Sequence, residues 1–179
     1  MKRYPNYNTI LSKQQMVDCD LQSFGCAGGY IFAGLEYIKL NKIATHDSYP
    51  YKGEKGLCNS EAEKLPKTLN NVDFALLNGD ENMLKNYLAH YGPVGISMHT
   101  AGGFLDYQSG IYKNKSCIKT TTNHAMLLVG FGSTEVKGKK KDYWLVKNSW
   151  GTSWGVIIIN TLNFLKILLI FYFYRKKDT

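Results

Sequence analysis

The opening stretch MKRYPNYNTI lacks the apolar core of a secretory leader; it is polar and rich in Tyr and Asn. Met1 is therefore expected to be either a cytosolic start or the edge of a shortened gene model. Acidic residues are scarce, 14 Asp and Glu against 22 Lys and Arg. The resulting charge of +8 is scattered, except where Lys137, Lys139, Lys140 and Lys141 share one Gly-containing stretch. A short Lys run of that kind reads as a solvated turn, not as a nucleic-acid surface. Cysteines and histidines number only 4 each. Cys19 and Cys26 are too widely spaced for a zinc knuckle and no His pair accompanies them, so no metal and no other cofactor is expected. Internal repeats are absent. With 44% apolar and 20% charged residues the composition excludes a disordered chain.

What is present fits one domain or two small lobes in 179 residues. Cys19, Cys26, Cys58 and Cys117 allow three full disulfide pairings, and the residues alone do not choose among them. Disulfides imply an oxidising compartment, in tension with the missing leader. Asn114-Lys115-Ser116 is a glycosylation sequon. Residues 156–174, VIIINTLNFLKILLIFYFY, have the length and the flanking Arg175, Lys176 and Lys177 of a membrane span. Asn160, Thr161, Asn163 and Lys166 interrupt it, and a mid-span Lys costs about 3 kcal/mol on insertion scales. Buried strands or translated non-coding sequence are the competing accounts. The residues from Val156 onward belong to AT-rich codons, and a Val codon begins with the GT of an intron, so read-through is the expectation for 156–179.

Along the chain, SKQQMVD reads as a short helix capped by Ser12. A Gly-rich turn, Gly25-Cys26-Ala27-Gly28-Gly29, feeds YIFAGLEYIKL, where Ile31, Leu35 and Ile38 fall on one helical face. Asp80 can cap a helix through Leu84, Tyr87 and Leu88, ending at Gly92-Pro93. VGISM, HAMLLVGFG and YWLVKNSW are short strand-like runs. Helices first and strands second predict an α+β protein with two unlike lobes.

The chemistry concentrates in Asn123-His124-Ala125, opening one strand, and Lys147-Asn148-Ser149-Trp150-Gly151, closing the next. A strand, a Lys-rich turn and a return strand bring His124 beside Asn148. An imidazole at a strand mouth can move protons near neutral pH. An amide that accepts from one ring N–H fixes the tautomer and leaves the other nitrogen for a nucleophile. Trp150 can roof that bond and exclude water. The Gly28-Gly29 pair leaves room for another backbone to approach as a strand.

These segments are similar to those of papain-family cysteine proteases, nearest to the cathepsin L type. LSKQQMVDCD, GCAGGY, Tyr49-Pro50-Tyr51, GPVGISM, GIY, NHAMLLVGFG and DYWLVKNSWGTSWG occur in family order over about residues 11–155. The resemblance implies a papain-like two-lobe fold, with a helical left lobe over about 1–75, an antiparallel β-barrel right lobe over about 76–155, both incomplete, and a cleft between them. Residues 156–179 fall outside the pattern. It implies that His124 is the catalytic imidazole, Asn148 its orienting partner and Trp150 their shield. Gly28 and Gly29 are implied as the wall that pairs with extended substrate, and Tyr30, Ile31 and Ala125 as lining of the main specificity pocket. Cys19 is implied to pair with Cys58, whereas the partners of Cys26 and Cys117 are not in this sequence. Implied partners are peptide or protein substrates and propeptide or cystatin-like inhibitors, for a monomer in a lysosome or outside the cell.

The family's nucleophile sits in a C-G-[SA]-C-[WY] signature roughly 130–150 residues before the His. No such signature occurs among the 179 residues. The expectation is that the nucleophile falls before Met1 and that this chain alone is inactive. Cys26 is implied to be a bridging cysteine, not a substitute nucleophile.

Overall fold

The computed structural model describes residues 10–59, 72–74, 76–77, 80–100, 102–113, 121–151, 153–154, 157–159, 169–170 and 173–174. Cys117 and the Asn114 sequon lie outside these residues. The chain divides into two compact units, Met1–Asp73 with Phe173–Thr179, and Phe74–Tyr172.

In the first unit, helix α1 spans Lys13–Cys19. Ser12 caps it by accepting from the Gln15 N–H (3.0 Å), and its hydroxyl donates to the Tyr49 carbonyl (2.7 Å). The face that α1 buries is polar: Gln14, Gln15 and Asp18, with Cys19. Each of these polar groups is partnered. Gln14 donates to Asp18 Oδ1 (2.8 Å) and the Glu54 carbonyl (2.7 Å) and accepts from the Lys52 N–H (2.8 Å). Gln15 accepts from the Ala44 N–H (2.7 Å) and donates to the Tyr37 hydroxyl (3.0 Å). Asp18 accepts from the Tyr49 hydroxyl (2.9 Å) and the Gly56 N–H (2.7 Å). A Cys19–Cys58 disulfide closes the layer.

Helix α2 spans Ile31–Asn41, with Tyr30 at its N-cap. The expected stripe of Ile31, Leu35 and Ile38 is only half-buried, and the deepest residue is Ala33. Gly34 of α2 lies against Met16 of α1: a Cβ there would be 3.1 Å from the Met16 methyl carbon. Ile38, Leu11 and Met16 pack against Ile43. Two short strands, β1 (Val72–Asp73) and β9 (Phe173–Tyr174), pair antiparallel.

The second unit is built on one seven-stranded sheet. Its strands are β2 (Leu76–Leu77), β3 (Val94–Met98), β4 (Ile111–Tyr112), β5 (His124–Val136), β6 (Lys139–Lys147), β7 (Ile157–Ile159) and β8 (Leu169–Ile170). They run in the order β2-β8-β3-β5-β6-β7-β4, antiparallel except for the β4–β7 pair. Alternation drives the core: Val94, Ile96 and Met98 of β3 are buried, and they face Leu128, Met126 and His124 of β5. The β5–β6 turn is Lys137-Gly138, both with positive φ (52° and 70°), as a two-residue hairpin turn requires. A bulge between Leu128 and Gly130 shifts the register, so that Phe131 lies opposite Trp144. Helix α3, Glu81–His90, starts on Asp80, whose carboxylate accepts from the Asn82 N–H, and it buries Leu84 completely. Lys85 of α3 lies over the Trp144 ring (5.9 Å) and near Asp142 (3.6 Å).

The described part of 156–179 is strand, pairing in β7, β8 and β9. Among the described residues no helix is long and apolar enough to cross a membrane.

Candidate functional site

His124 is the first residue of β5, and Asn148 follows the last residue of β6. The strand mouth is clamped by the residue just before the imidazole. The Asn123 side chain accepts from the Thr100 N–H (2.7 Å) and hydroxyl (3.0 Å) and donates to the Thr100 carbonyl (2.9 Å). Its backbone N–H donates to the Met98 carbonyl (3.0 Å). The start of β5 is thereby tied to the end of β3, which limits how His124 can swing.

His124 Nε2 lies 2.9 Å from Asn148 Oδ1. The direction of this bond follows from a third group. The Ser149 N–H donates to the same Oδ1 (2.8 Å), so the amide oxygen must point there. A flipped amide would set its NH2 against that N–H. Asn148 Oδ1 is therefore an acceptor for both, and His124 carries its proton on Nε2 in the neutral ring. Nδ1 is then the nitrogen with a lone pair, the one able to take a proton. Asn148 Nδ2 is buried and has no partner among the described residues.

Two aromatic rings contact the imidazole. Trp150 lies 5.0 Å from the imidazole, tilted by 38°, and is itself 37% exposed. Phe104 meets the imidazole edge-on at 6.0 Å and Trp150 at 5.6 Å. Trp154 touches Trp150 (4.8 Å) and Phe104 (5.0 Å), and its indole N–H donates to the Leu105 carbonyl (3.0 Å).

The residues expected to hold substrate fall in both units. Ala125 is exposed beside His124 and lies opposite Ser97. Gly28, Gly29, Tyr30 and Ile31 belong to the first unit. Gly28 has φ 116° and nothing within 4 Å of where a Cβ would stand, so its face is open. Gly29 is constrained differently: a Cβ there would meet Ser23 Oγ at 2.5 Å. Tyr30 is exposed and Ile31 half-buried. Cys19 and Cys58 form the implied disulfide. Cys26 is an exposed free thiol, with Sγ 3.9 Å from the Gly53 carbonyl. Among the described residues no His, Cys, Asp and Glu cluster could hold a metal ion.

Phe104 is the member of this site that the sequence reading does not contain. The available signal was faint: an aromatic residue directly after Gly102-Gly103, outside any periodic run. Its burial and its contact with the imidazole emerge only in three dimensions.

Comparison with known proteins matches this architecture. The sequence model of papain family cysteine proteases covers residues 1–157. Pro-cathepsin H of Bos taurus is 40% identical over 152 residues, which is 82% of this chain and 44% of that protein. Pro-cathepsin H of Mus musculus is 44% identical over 151 residues, 81% of this chain and 44% of that protein. The structure of digestive procathepsin L2 proteinase from Tenebrio molitor larval midgut aligns with a TM-score of 0.82 at 32% identity, covering 94% of this chain and 54% of that one. The chain thus spans less than half the length of these pro-cathepsin H relatives. A family model over most of the chain, cathepsin relatives and a procathepsin fold agree: this chain belongs to the papain family of cysteine proteases, as a cathepsin-like member.

Proposed function

We propose that the chain carries the proton-handling half of a papain-like cysteine endopeptidase, with His124 as general acid and base and Asn148 as its orienter. The observation that carries this reading is the Asn148 oxygen held between the Ser149 N–H and His124 Nε2. With Nε2 so occupied, Nδ1 takes the proton of a cysteine thiol and the thiolate attacks the substrate carbonyl. The imidazolium then returns that proton to the leaving amine. Trp150 shields the His124–Asn148 bond. Gly28 and Gly29 offer backbone to an extended peptide, with Tyr30 and Ile31 beside them. Ala125 is a substrate contact next to His124.

The thiolate is not supplied by these 179 residues. None of the four cysteines lies in a CGSCW-like signature. Cys19 is bonded to Cys58, and the family resemblance makes Cys26 a bridging cysteine, not a nucleophile. On this reading the 179 residues alone do not turn over peptides. The disulfide supports an oxidising compartment, lysosomal or extracellular. Relatives named as pro-forms support a propeptide as partner, beside peptide or protein substrates and cystatin-like inhibitors, with the protein acting as a monomer.

The test is direct. Purified 179-residue protein is incubated with an unblocked peptide substrate under reducing conditions, and no turnover above buffer is expected. Turnover that disappears in His124→Ala contradicts the reading. Genomic sequence ahead of Met1 separates the peptidase from a non-catalytic peptide binder: a CGSCW-like coding stretch supports the first, its absence the second.

A further inference from the structure

We propose that Phe104 is a positioning residue for His124, holding the imidazole plane so that Nε2 stays on Asn148. This rests on the roles given above to His124 and Asn148. Phe104 is 2% exposed, the most buried ring of the aromatic cluster around the site. It touches His124 edge-on (6.0 Å, 67°) and Trp150 edge-on (5.6 Å, 75°), while Trp150 also contacts His124 (5.0 Å). The three rings form a closed triangle, so the imidazole has an aromatic neighbour on two sides and its amide partner on a third.

A hydrogen bond to Nε2 alone fixes one point of the ring. It does not stop rotation about the bond joining ring and Cβ, which is a soft torsion for His. Phe104 and Trp150 stop it sterically. Trp150 alone is a weak wall, being 37% exposed. Phe104 is the rigid one. Its loop is fastened by the Trp154 indole donating to the Leu105 carbonyl (3.0 Å) and by the Tyr107 hydroxyl donating to the Gly110 carbonyl (2.5 Å). Tyr112 packs against its other side (5.2 Å, 79°). The positive φ of Gly103, 80°, turns the chain into this loop immediately before Phe104. A core aromatic placed only to fill volume would not need contact with both functional rings.

The experiment is nitrogen-15 NMR of the histidine side chains in the full 179-residue chain, in alkaline buffer. Ring-nitrogen shifts then report the ratio of Nε2–H to Nδ1–H tautomers. In the unsubstituted protein, His124 is expected to be overwhelmingly Nε2–H. Phe104→Leu should lower that ratio about threefold or more, the size of a modest aromatic edge contact. Leu84→Ala, a fully buried truncation on α3, should cost stability and leave the His124 ratio unchanged. If the unsubstituted protein is not Nε2–H, the roles given to His124 and Asn148 fail, whatever Phe104 does. If it is Nε2–H and Phe104→Leu leaves the ratio unchanged, Phe104 is only core and the proposal alone is overturned. Should Phe104→Leu not fold, proton cross-peaks between the Phe104 and His124 rings decide in the unsubstituted protein. Their presence supports the contact, and their absence overturns it.

Discussion

The two units bury opposite kinds of surface. The first turns a helix face of Gln14, Gln15 and Asp18 inward and answers each group with a hydrogen bond. The second stacks Val94, Ile96, Met126, Leu128, Trp144 and Val146 on one sheet face. A net hydrogen bond contributes only about 1 kcal/mol, whereas an orphaned buried donor costs about 1–3 kcal/mol. A polar layer is therefore specific and brittle. An apolar face of similar size tolerates loss of one contact with a graded cost. The site follows this division. His124 stands on the apolar sheet, where neighbouring strands fix it, and the disulfide staples the polar unit.

The division can be broken most severely at Cys19–Cys58. The bridge closes a separation of 39 residues, and opening such a loop is expected to remove about 4 kcal/mol. Reduction should strip hydrogen-exchange protection from the Ala44, Lys52 and Gly56 amides. All three Trp lie in the second unit, at positions 144, 150 and 154. Their emission is therefore a readout of that unit alone, and its urea midpoint should move much less. Equal shifts in both readouts would mean that the two units unfold as one.

A smaller and more selective break is Asp18→Ala. It leaves the Tyr49 hydroxyl and the Gly56 N–H without their acceptor and the Gln14 amide with the Glu54 carbonyl alone, an expected loss of about 2–3 kcal/mol for the first unit. Unfolding in urea, followed by tyrosine absorbance, measures it. The same pair sets a pH dependence. Burial pushes the Asp18 carboxyl up, but the Gly56 N–H, the Tyr49 hydroxyl, the Gln14 amide and the charge of Lys52 outweigh it, and its pKa falls below the usual 3.8. The folded state thus binds that proton less readily than the unfolded chain. This stabilisation is complete above about pH 4 and is lost as pH falls through the lowered pKa. Tyr49 has the opposite sign. Burial raises its hydroxyl above 10.0, opposed by the Asn59 N–H and assisted by Asp18. Its contribution is complete below about pH 10 and is lost as pH rises through the raised value. In Asp18→Ala the acid limb should flatten.

The sequence made some of this visible and hid the rest for physical reasons. Ser12 and Asp80 announced their helices because a capping oxygen is a local signal. The β5–β6 hairpin was legible because strand alternation and a Lys-Gly turn are also local. Asn148 beside His124 followed from hairpin geometry, with the resemblance supplying the roles. The buried face of α1 was not legible, since Gln and Asp on a helix read as solvent-facing unless their partners at Ala44, Lys52 and Gly56 are known. Phe104 was hidden likewise, because a loop aromatic has no period to betray its burial. On α2, Ile31, Leu35 and Ile38 formed an apolar stripe, yet it is only half-buried and the small Ala33 lies deepest.

The smallest break tests whether the strand mouth matters as much as the pair it carries. Asn123 makes three side-chain hydrogen bonds to Thr100, all on exposed groups. Water replaces such bonds readily, so Asn123→Ala should cost the second unit about 1 kcal/mol or less by tryptophan emission in urea. Its effect on His124 should be larger in proportion. The clamp fixes where β5 begins, and His124 is the next residue, so a loosened start widens the range of positions available to Nε2. Exchange of the His124 Nε2 proton with solvent should speed up while the midpoint barely moves. A slowed or unchanged exchange would mean that Asn148 and the aromatic rings hold the imidazole without help from the strand end.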